Sequence, residues 1–579
     1  MSVAARNRPQ TLALRWAVFV ASVATTAFAG WLFFTLLEDD WSAIDTVRLV
    51  LSSICVFWIV WGSTVGVLGL LARSPAPPPA APATAPLASR TAILMPIYNE
   101  DPASTFARVA AVSASLARIG AAEAFDIFIL SDTQSLEAAA REALWLERLL
   151  TDSPGREQIF YRRRAQNSGR KAGNIEDFIR HSGGAYDYAL VLDADSLMEA
   201  RAIVTMVREM EASPELGLLQ TLPQIVHARS VFGRAMQFAA TFYAPVFARG
   251  TAMVQGNEGP YWGHNAIFRI RAFAQNCGLP PLRGKPPFGG QILSHDYVEA
   301  ALLARGGYAV RLDPTIDGSF EEGPDNLIDF AKRDQRWCQG NLQHSRVVLA
   351  PAFPLWNRVT LLQGIGNYLM PLIWLCLLVA GVAAADLPAP LRPFGGHLVM
   401  ITVPDWSNWA LLALVLALLI LPKLMIAIMN IASGKVVATG GAGLALLSVF
   451  AEIVLSTVLA PIVLMFQIRA LFRIILGFDG GWPPSNRNDG VLTVREAWAE
   501  SWWVTCCGLG ALAVVTNFAT PLDIWAMPVC VPLILAPLVI AATSRPVPTL
   551  SMLWRVPSEA QPAPVMREWS AIYTGWTGQ

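Results

Sequence analysis

A few short segments carry residues whose types and spacing suit binding an anionic substrate and moving a proton. Asp193-Ala194-Asp195-Ser196 directly follows the apolar run Tyr188-Ala189-Leu190-Val191-Leu192. Two carboxylates one residue apart at the end of a buried strand repel each other unless a cation lies between them; Mg²⁺ or Mn²⁺ shared with diphosphate oxygens would supply it. Capping explains most such pairs, but the hydrophobic strand before this one gives it weight. Gly169-Arg170-Lys171-Ala172-Gly173-Asn174 sets two cations and two glycines in front of a helix, where backbone amides and the positive dipole end attract anions. A solvated basic turn is the plain alternative. Met95-Pro96-Ile97-Tyr98-Asn99-Glu100-Asp101 ends another apolar run in a ring and acids able to stack on and hydrogen-bond a nucleobase and ribose, or simply to cap a helix. Asp132, after Leu130-Ser131, adds a carboxylate to the same rim.

Further along, Tyr261-Trp262-Gly263-His264-Asn265 offers an aromatic surface with polar neighbours, suited to stacking on a sugar face. In Ser294-His295-Asp296-Tyr297, Asp296 reads either as a helix-start residue favoured by the dipole or as a general base toward an acceptor hydroxyl. Lys332-Arg333-Asp334-Gln335-Arg336-Trp337-Cys338-Gln339-Gly340-Asn341 stands just before an apolar stretch. Anchoring at a membrane interface is the plain reading, but its mix of Arg, Trp, Gln and Asn exceeds what anchoring needs.

These residues must be positioned by a folded region, and Thr91 to Ala350 has the polarity for one. Thr91–Ile97, Phe125–Leu130, Ile159–Arg162 and Tyr188–Leu192 read as strands, with helices over Ala107–Ile119 and Ser135–Leu150 between them. Helix-length crossovers predict a parallel, doubly wound sheet with ligands at the strand C-terminal ends, where the polar clusters fall. The rest of the chain is different. Of 579 residues 54% are apolar and only 15% charged, which excludes a purely soluble enzyme and a disordered chain. Lys+Arg and Asp+Glu balance at 43 each, so the bulk basic footprint of a nucleic-acid binder is missing. The seven cysteines show neither metal-ligand nor disulfide spacing.

Trp16–Leu37, Leu49–Ala72, Val359–Ala385, Trp406–Pro422 with its continuation to Ile431, Ser501–Leu522 and Ile524–Ser544 each read as membrane spans. Ala27-Phe28-Ala29 has the form of a processing site, but the apolar run continues past it to Leu37, so the segment reads as a retained span. Leu444–Ile468 contains Glu452 and Pro461 and reads as an interfacial or re-entrant pair broken at the proline, or as two short spans. Arg6, Arg8, Arg15, Arg73 and Arg90 flank the first two spans while Glu38, Asp39, Asp40 and Asp45 lie between them, which puts both termini and the central region in the cytosol. The expected organisation is residues 1–73 as paired spans, 74–90 as a Pro/Ala linker, 91–350 as the cytosolic domain, 351–545 as membrane and interfacial helices, and 546–579 as a cytosolic tail.

Taken in order, the motifs resemble those of the membrane-embedded, processive glycosyltransferases of family 2, which include cellulose and hyaluronan synthases. That pattern runs Pro-x-Tyr-Asn-Glu, a uracil-contacting Asp, Lys-Ala-Gly-Asn, Asp-x-Asp, a late Asp base and Gln-x-x-Arg-Trp, and here it departs only in Arg333 at the Gln position. The departure, with Tyr261-Trp262-Gly263-His264-Asn265, Ser294-His295-Asp296-Tyr297-Val298-Glu299-Ala300 and Trp337-Cys338-Gln339-Gly340-Asn341-Leu342-Gln343-His344, is similar to the branch that makes osmoregulated periplasmic glucans. The resemblance implies a polytopic α-helical membrane protein of the bacterial inner membrane with an inserted cytosolic α/β domain of GT-A type, transferring glucose from UDP-glucose to a β-glucan, β-1,2-linked. It implies Tyr98, Glu100 and Asp132 at uridine, and Lys171, Asp193, Asp195 and a divalent metal at the diphosphate. Asp296 is the implied base, Trp262, His264 and Trp337 line the acceptor site, and Arg333, Arg336 and Gln339 lie near the diphosphate or terminal sugar. An acyl carrier protein and a periplasmic glucan biosynthesis protein are implied partners. The competing expectations are another processive β-glycan synthase and a non-catalytic, nucleotide-sugar-sensing transporter subunit.

Overall fold

The computed structural model describes residues 9–35, 41–72, 86–153, 158–385, 406–478, 490–519, 522–548 and 552–578. Most of the Pro/Ala linker and the acidic Glu38-Asp39-Asp40 lie outside them. Two long apolar helices, α1 (Pro9–Thr35) and α2 (Ala43–Leu71), come first. Then β1 (Thr91–Ile97), α3 (Pro102–Arg118), β2 (Phe125–Ser131), α4 (Leu136–Asp152), β3 (Ile159–Arg163), α5 (Arg170–Ser182) and β4 (Tyr188–Val191) alternate as the periodicity predicts. The domain continues through β5 (Leu197–Met198), α6 (Ala200–Ala212), β6 (Leu216–Thr221), β7 (Gln224–Val226), α7 (Val231–Phe242), α8 (Ala244–Gln255), β8 (Ala266–Arg269) and α9 (Ile270–Asn276). Helix α10 (His295–Arg305), β9 (Ala309–Asp313), β10 (Ser319–Glu322) and α11 (Leu327–Gln343) complete it.

Seven strands form the main sheet in the order β3-β2-β1-β4-β8-β6-β9, and β5-β10-β7 form a small second one. On β1 the side chains of Ile93, Met95 and Ile97 join one core with α3 and α6, while Ala92 and Leu94 join the other with α5, α9 and α10. Both faces are covered, as a helix-flanked sheet requires. The sheet is mixed, which corrects the all-parallel expectation. Strands β1 to β4 run parallel, but β8 is antiparallel to both β4 and β6. The reversal arises because β8 begins at Ala266, immediately after the Trp262–Asn265 turn, and so runs away from the rim at which β4 ends. Asn265 sets that turn with φ 50°, its buried amide donating to Ser319 Oγ (2.8 Å) and Phe320 O (3.2 Å).

The last part holds α12 (Leu355–Ala385), α13 (Trp406–Ala432), α14 (Gly441–Ile475), α15 (Val494–Phe518), α16 (Asp523–Ile534), α17 (Ala536–Thr543), α18 (Pro557–Ala560) and α19 (Pro564–Thr577). Among the described residues six helices are long and apolar enough to cross a membrane: α1, α2, α12, α13, α14 and α15. Two expectations change places here. The stretch around Leu444–Ile468 is not a pair broken at Pro461 but one helix of 35 residues. Its Glu452 carboxylate is met by Lys423 of α13 at 2.8 and 2.9 Å, so the charge that made the stretch ambiguous is paired. Conversely, the region read as a span at Ile524–Ser544 is the pair α16–α17, bent by 62°, which makes it a broken span or a re-entrant loop. Pro528 and Pro532 lie inside the first helix and Pro537 opens the second.

The spanning pair is fitted to the α/β domain through glycine. A Cβ on Gly69 of α2 would come 1.9 Å from Val246 O of α8, and one on Gly250 of α8 would come 2.0 Å from Val65 O. Arg15 of α1 caps the same helix, donating to Val254 O and Gln255 O (both 2.8 Å) and pairing with Glu258 at 2.8 Å. Gly250→Ala is expected to cost about 1–3 kcal/mol of overpacking, read as a lower melting temperature in detergent, while Gly381→Ala on α12, which meets nothing within 4 Å, leaves it unchanged.

Candidate active site

A cavity of about 1930 Å³ opens at the C-terminal ends of β1, β2 and β4. That exceeds the roughly 300–1,000 Å³ usual for a small-molecule pocket, leaving room for a nucleotide-sized ligand and an acceptor together. Tyr98, Glu100, Asp132, Lys171, Asp193, Asp195, Trp262, His264, Asp296, Arg333, Arg336 and Trp337 all line it. The sequence places them on seven separate segments; the sheet brings them to one rim.

At the β1 end the Tyr98 amide donates to the Glu100 carboxylate, and Asp101 caps α3 through Ser104 N (2.9 Å). Asp132 is almost fully buried and held in a fork by Arg164, Nε to Oδ1 at 2.7 Å and Nη2 to Oδ2 at 2.8 Å. Arg164 was not singled out by the sequence reading, nor was Arg170 as a lining residue distinct from Lys171; the signal was the basic run continuing past β3. Gly169, φ 71°, is the N-cap of α5, so Arg170 and Lys171 occupy its first turn. Lys171 Nζ contacts Asp193 Oδ1. Burial opposes charge on Asp193, but Lys171, His264 and Arg333 outweigh it and hold its pKa below the usual carboxylate range.

Asp296 sits in the first turn of α10. Opposite it, Gly263 has φ +85°, and a Cβ there would lie 3.5 Å from Asp296 Oδ2 and 3.7 Å from Lys171 Nζ. A side chain at 263 would therefore be strained and would crowd the space between those two groups. Burial raises the pKa of Asp296, and Glu299 adds to the rise against the opposing pull of His295, the Tyr297 amide and Lys171. Behind it, buried His295 Nδ1 faces Glu299 Oε2 at 3.1 Å. On α11 the Arg333 guanidinium lies over the Trp337 ring at 4.7 Å, and Trp337 is 47% exposed. Burial, then Arg333 and Arg170, lower the pKa of Arg336.

Two expected contributors stand elsewhere. Gln339, two residues past Trp337 on the helix, is 3% exposed and does not line the cavity. Tyr261 is fully buried in the core, so Trp262, Gly263 and His264 are the part of that segment that lines the cavity. The opposite wall was not anticipated: Met566, Arg567, Trp569, Ser570, Tyr573 and Thr574 of α19 line it. The signal was Val565, Trp569, Ile572 and Trp576 at helical spacing in a stretch read only as a tail.

For a divalent cation the donor chemistry fits. Asp193 and Asp195 are hard oxygen donors beside the anion-attracting α5 terminus. No cluster of three protein ligands exists among the described residues, so a cation held by the pair would complete its shell with phosphate oxygens and water, as Mg²⁺ commonly does.

Known proteins match the chain over both the α/β domain and the membrane helices. The model "Glycosyl transferase family 2" matches residues 92–276 and "Glycosyl transferase family group 2" matches 188–428. The chain is 50% identical to glucans biosynthesis glucosyltransferase H of Cereibacter sphaeroides over 99% of its own length and 96% of that protein. Proteins of the same name from Xanthomonas euvesicatoria and Caulobacter vibrioides are 39% and 37% identical, over 92% and 96% of this chain and 84% and 86% of theirs. A membrane-embedded glycosyltransferase is what the spans and the α/β domain together describe, and the chain belongs to the glucans biosynthesis glucosyltransferase H family within glycosyltransferase family 2.

Proposed function

We propose that the enzyme elongates a β-glucan with glucose from UDP-glucose by a single inverting displacement at the cytosolic face of the inner membrane, and passes the product outward. The observation that carries this reading is the meeting, in one cavity, of an acidic pair beside Lys171 and of Asp296 across Gly263. The acceptor hydroxyl oxygen attacks C1 of glucose from the face opposite the diphosphate. The C1–O bond to UDP breaks, UDP leaves, and the hydroxyl proton passes to Asp296, so an α-linked donor becomes a β-linkage. Tyr98, Glu100 and Asp132 hold uridine, with Asp132 oriented by Arg164. Lys171 and Arg336 face the diphosphate. Asp193 and Asp195 would hold Mg²⁺ or Mn²⁺, which when bound neutralises charge developing on the leaving group. Trp337, Trp262 and His264 line the acceptor side, with Arg333 stacked on Trp337 to fix the ring.

The arginine flanks of α1 and α2 support the cytosolic placement of the domain. Since α11 ends beside α12, a chain held at Trp337 starts next to the membrane helices. The β-1,2 linkage, an acyl carrier protein and a periplasmic glucan biosynthesis protein as partners belong to the same proposal and rest on the resemblance.

Asp296→Asn is expected to lower turnover by about 10²- to 10⁴-fold while UDP binding stays at the parent level; parent turnover would contradict the base assignment. Because Asp296 must be ionised to accept a proton and its pKa is raised, kcat/KM falls as pH drops through a value above the usual carboxylate pKa of about 3.9. A pH profile flat down to that value would oppose the assignment. Inverted vesicles given labelled UDP-glucose and a divalent cation should form a glucan degraded by a β-1,2-glucanase. Resistance to that enzyme refutes the linkage, and absence of incorporation refutes the donor.

A further inference from the structure

Between the two aspartates, Ala194 offers no side-chain chemistry, yet its carbonyl is held from behind. Arg108 of α3 is 2% exposed, and its Nη1 donates to Ala194 O at 3.1 Å and to Ser104 Oγ at 2.9 Å. Its Nη2 donates to Glu322 Oε1 at 2.5 Å. A guanidinium this deeply buried is tolerable only when its fork is filled with acceptors. Its remaining face is covered by Trp569 of the C-terminal helix α19, whose ring centroid lies 5.0 Å from Arg108 Cζ. The indole N–H donates to Ser104 O at 3.2 Å, and the His227 ring stacks on the indole at 4.7 Å.

The same helix grips the chain again just past the acidic pair. The Val565 N–H donates to Glu199 Oε1 at 3.0 Å, and Val565 and Met566 pack into the core that contains Leu197 and Met198. Helix α19 therefore holds both ends of the segment from Ala194 to Glu199. Pinning the Ala194 carbonyl fixes a peptide plane that bears on the direction of the carboxylates on either side.

We propose that α19 is a positioning element for the Asp193-Ala194-Asp195 turn: Trp569 fixes Arg108, Arg108 fixes the Ala194 carbonyl, and the flanking carboxylates are thereby presented to the diphosphate and its divalent cation. The inference rests on the reading that this acidic pair receives the diphosphate. Groups that orient ligands from behind typically affect metal affinity or activity by about 10- to 100-fold. A helix that merely packed would alter the amount of folded protein and leave the affinity of each folded molecule unchanged.

The test is Mn²⁺-dependent binding of UDP to the purified full chain in nanodiscs, by titration calorimetry, corrected for folded fraction from thermal melts. Trp569→Ala and Arg108→Lys are expected to weaken that binding about tenfold and to raise the donor KM more than they lower kcat. Trp569→Phe keeps a ring over the guanidinium and is expected to recover most of the affinity. Parent affinity in folded Trp569→Ala overturns the inference. Asp195→Asn, measured alongside, separates the two levels: loss of affinity there with none in Trp569→Ala sinks the positioning role alone, whereas parent affinity in Asp195→Asn sinks the assignment of the acidic pair as well.

Discussion

Everything in this molecule converges on the close approach of α11 to the start of α10. A Cβ on Gly340 of α11 would lie 2.1 Å from Ser294 Oγ and 2.7 Å from Ser294 N, so no residue but glycine fits without movement. Ser294 is the N-cap of the helix that carries Asp296, and Gly340 lies one turn after Trp337. The contact thus sets the distance between the proposed base and the aromatic ring proposed to hold the acceptor. The other side of α11 is fixed to the spanning helices. Asp334 accepts from Tyr368 of α12 at 2.9 Å and from Gln467 of α14 at 2.9 Å, and a Cβ on Gly364 would lie 2.2 Å from Asn341 Oδ1. One helix is therefore shared by the membrane region and the site, which under the proposed function sets the start of product passage beside the chemistry.

The neutral total charge conceals how strongly charge is sorted. Lys171, Arg333 and Arg336 line the cavity with Asp193, Asp195 and Asp296. Half-buried Glu321 has a raised pKa, from desolvation first, with His264 and Arg333 opposing the rise and Asp195 and Asp193 adding to it. Lys171 meets Asp193 within the rim, while Arg336 keeps like-charged Arg333 and Arg170 beside it. In the proposed function a diphosphate brings negative charge to Arg336 and a divalent cation brings positive charge to Asp193 and Asp195, which favours the donor at this rim over the outer part of the cavity.

How much of this could be read from the chain depends on how local the cause is. Strands β1 to β4 declare themselves because both sheet faces are covered, leaving short apolar runs, and the rim carboxylates declare themselves by following those runs. The reversal at β8 depends on the Asn265 turn, whose partners Ser319 and Phe320 are far away in sequence. Helix α14 was obscured by a glutamate whose lysine partner lies on another helix, and the α16–α17 bend by prolines within an otherwise apolar run. Arg108 is an unremarkable helix arginine until β10 and α19 fold around it, and Gln339 shares a motif with Trp337 but not a helix face. The β8 reversal, the α14 span and the role of Arg108 each turn on a long-range contact that no period of the chain encodes, whereas the α16–α17 bend and the face of Gln339 have local causes.

If α11 holds the site in working geometry, the Gly340 contact is where a single added methyl group should disturb it. With Gly340→Ala in nanodiscs, UDP binding and glucan synthesis are measured on the same preparation. UDP binding is expected to stay at the parent level and synthesis to fall by roughly 10²-fold, the scale of a 1 Å misplacement of reacting groups. Synthesis at the parent rate would contradict it.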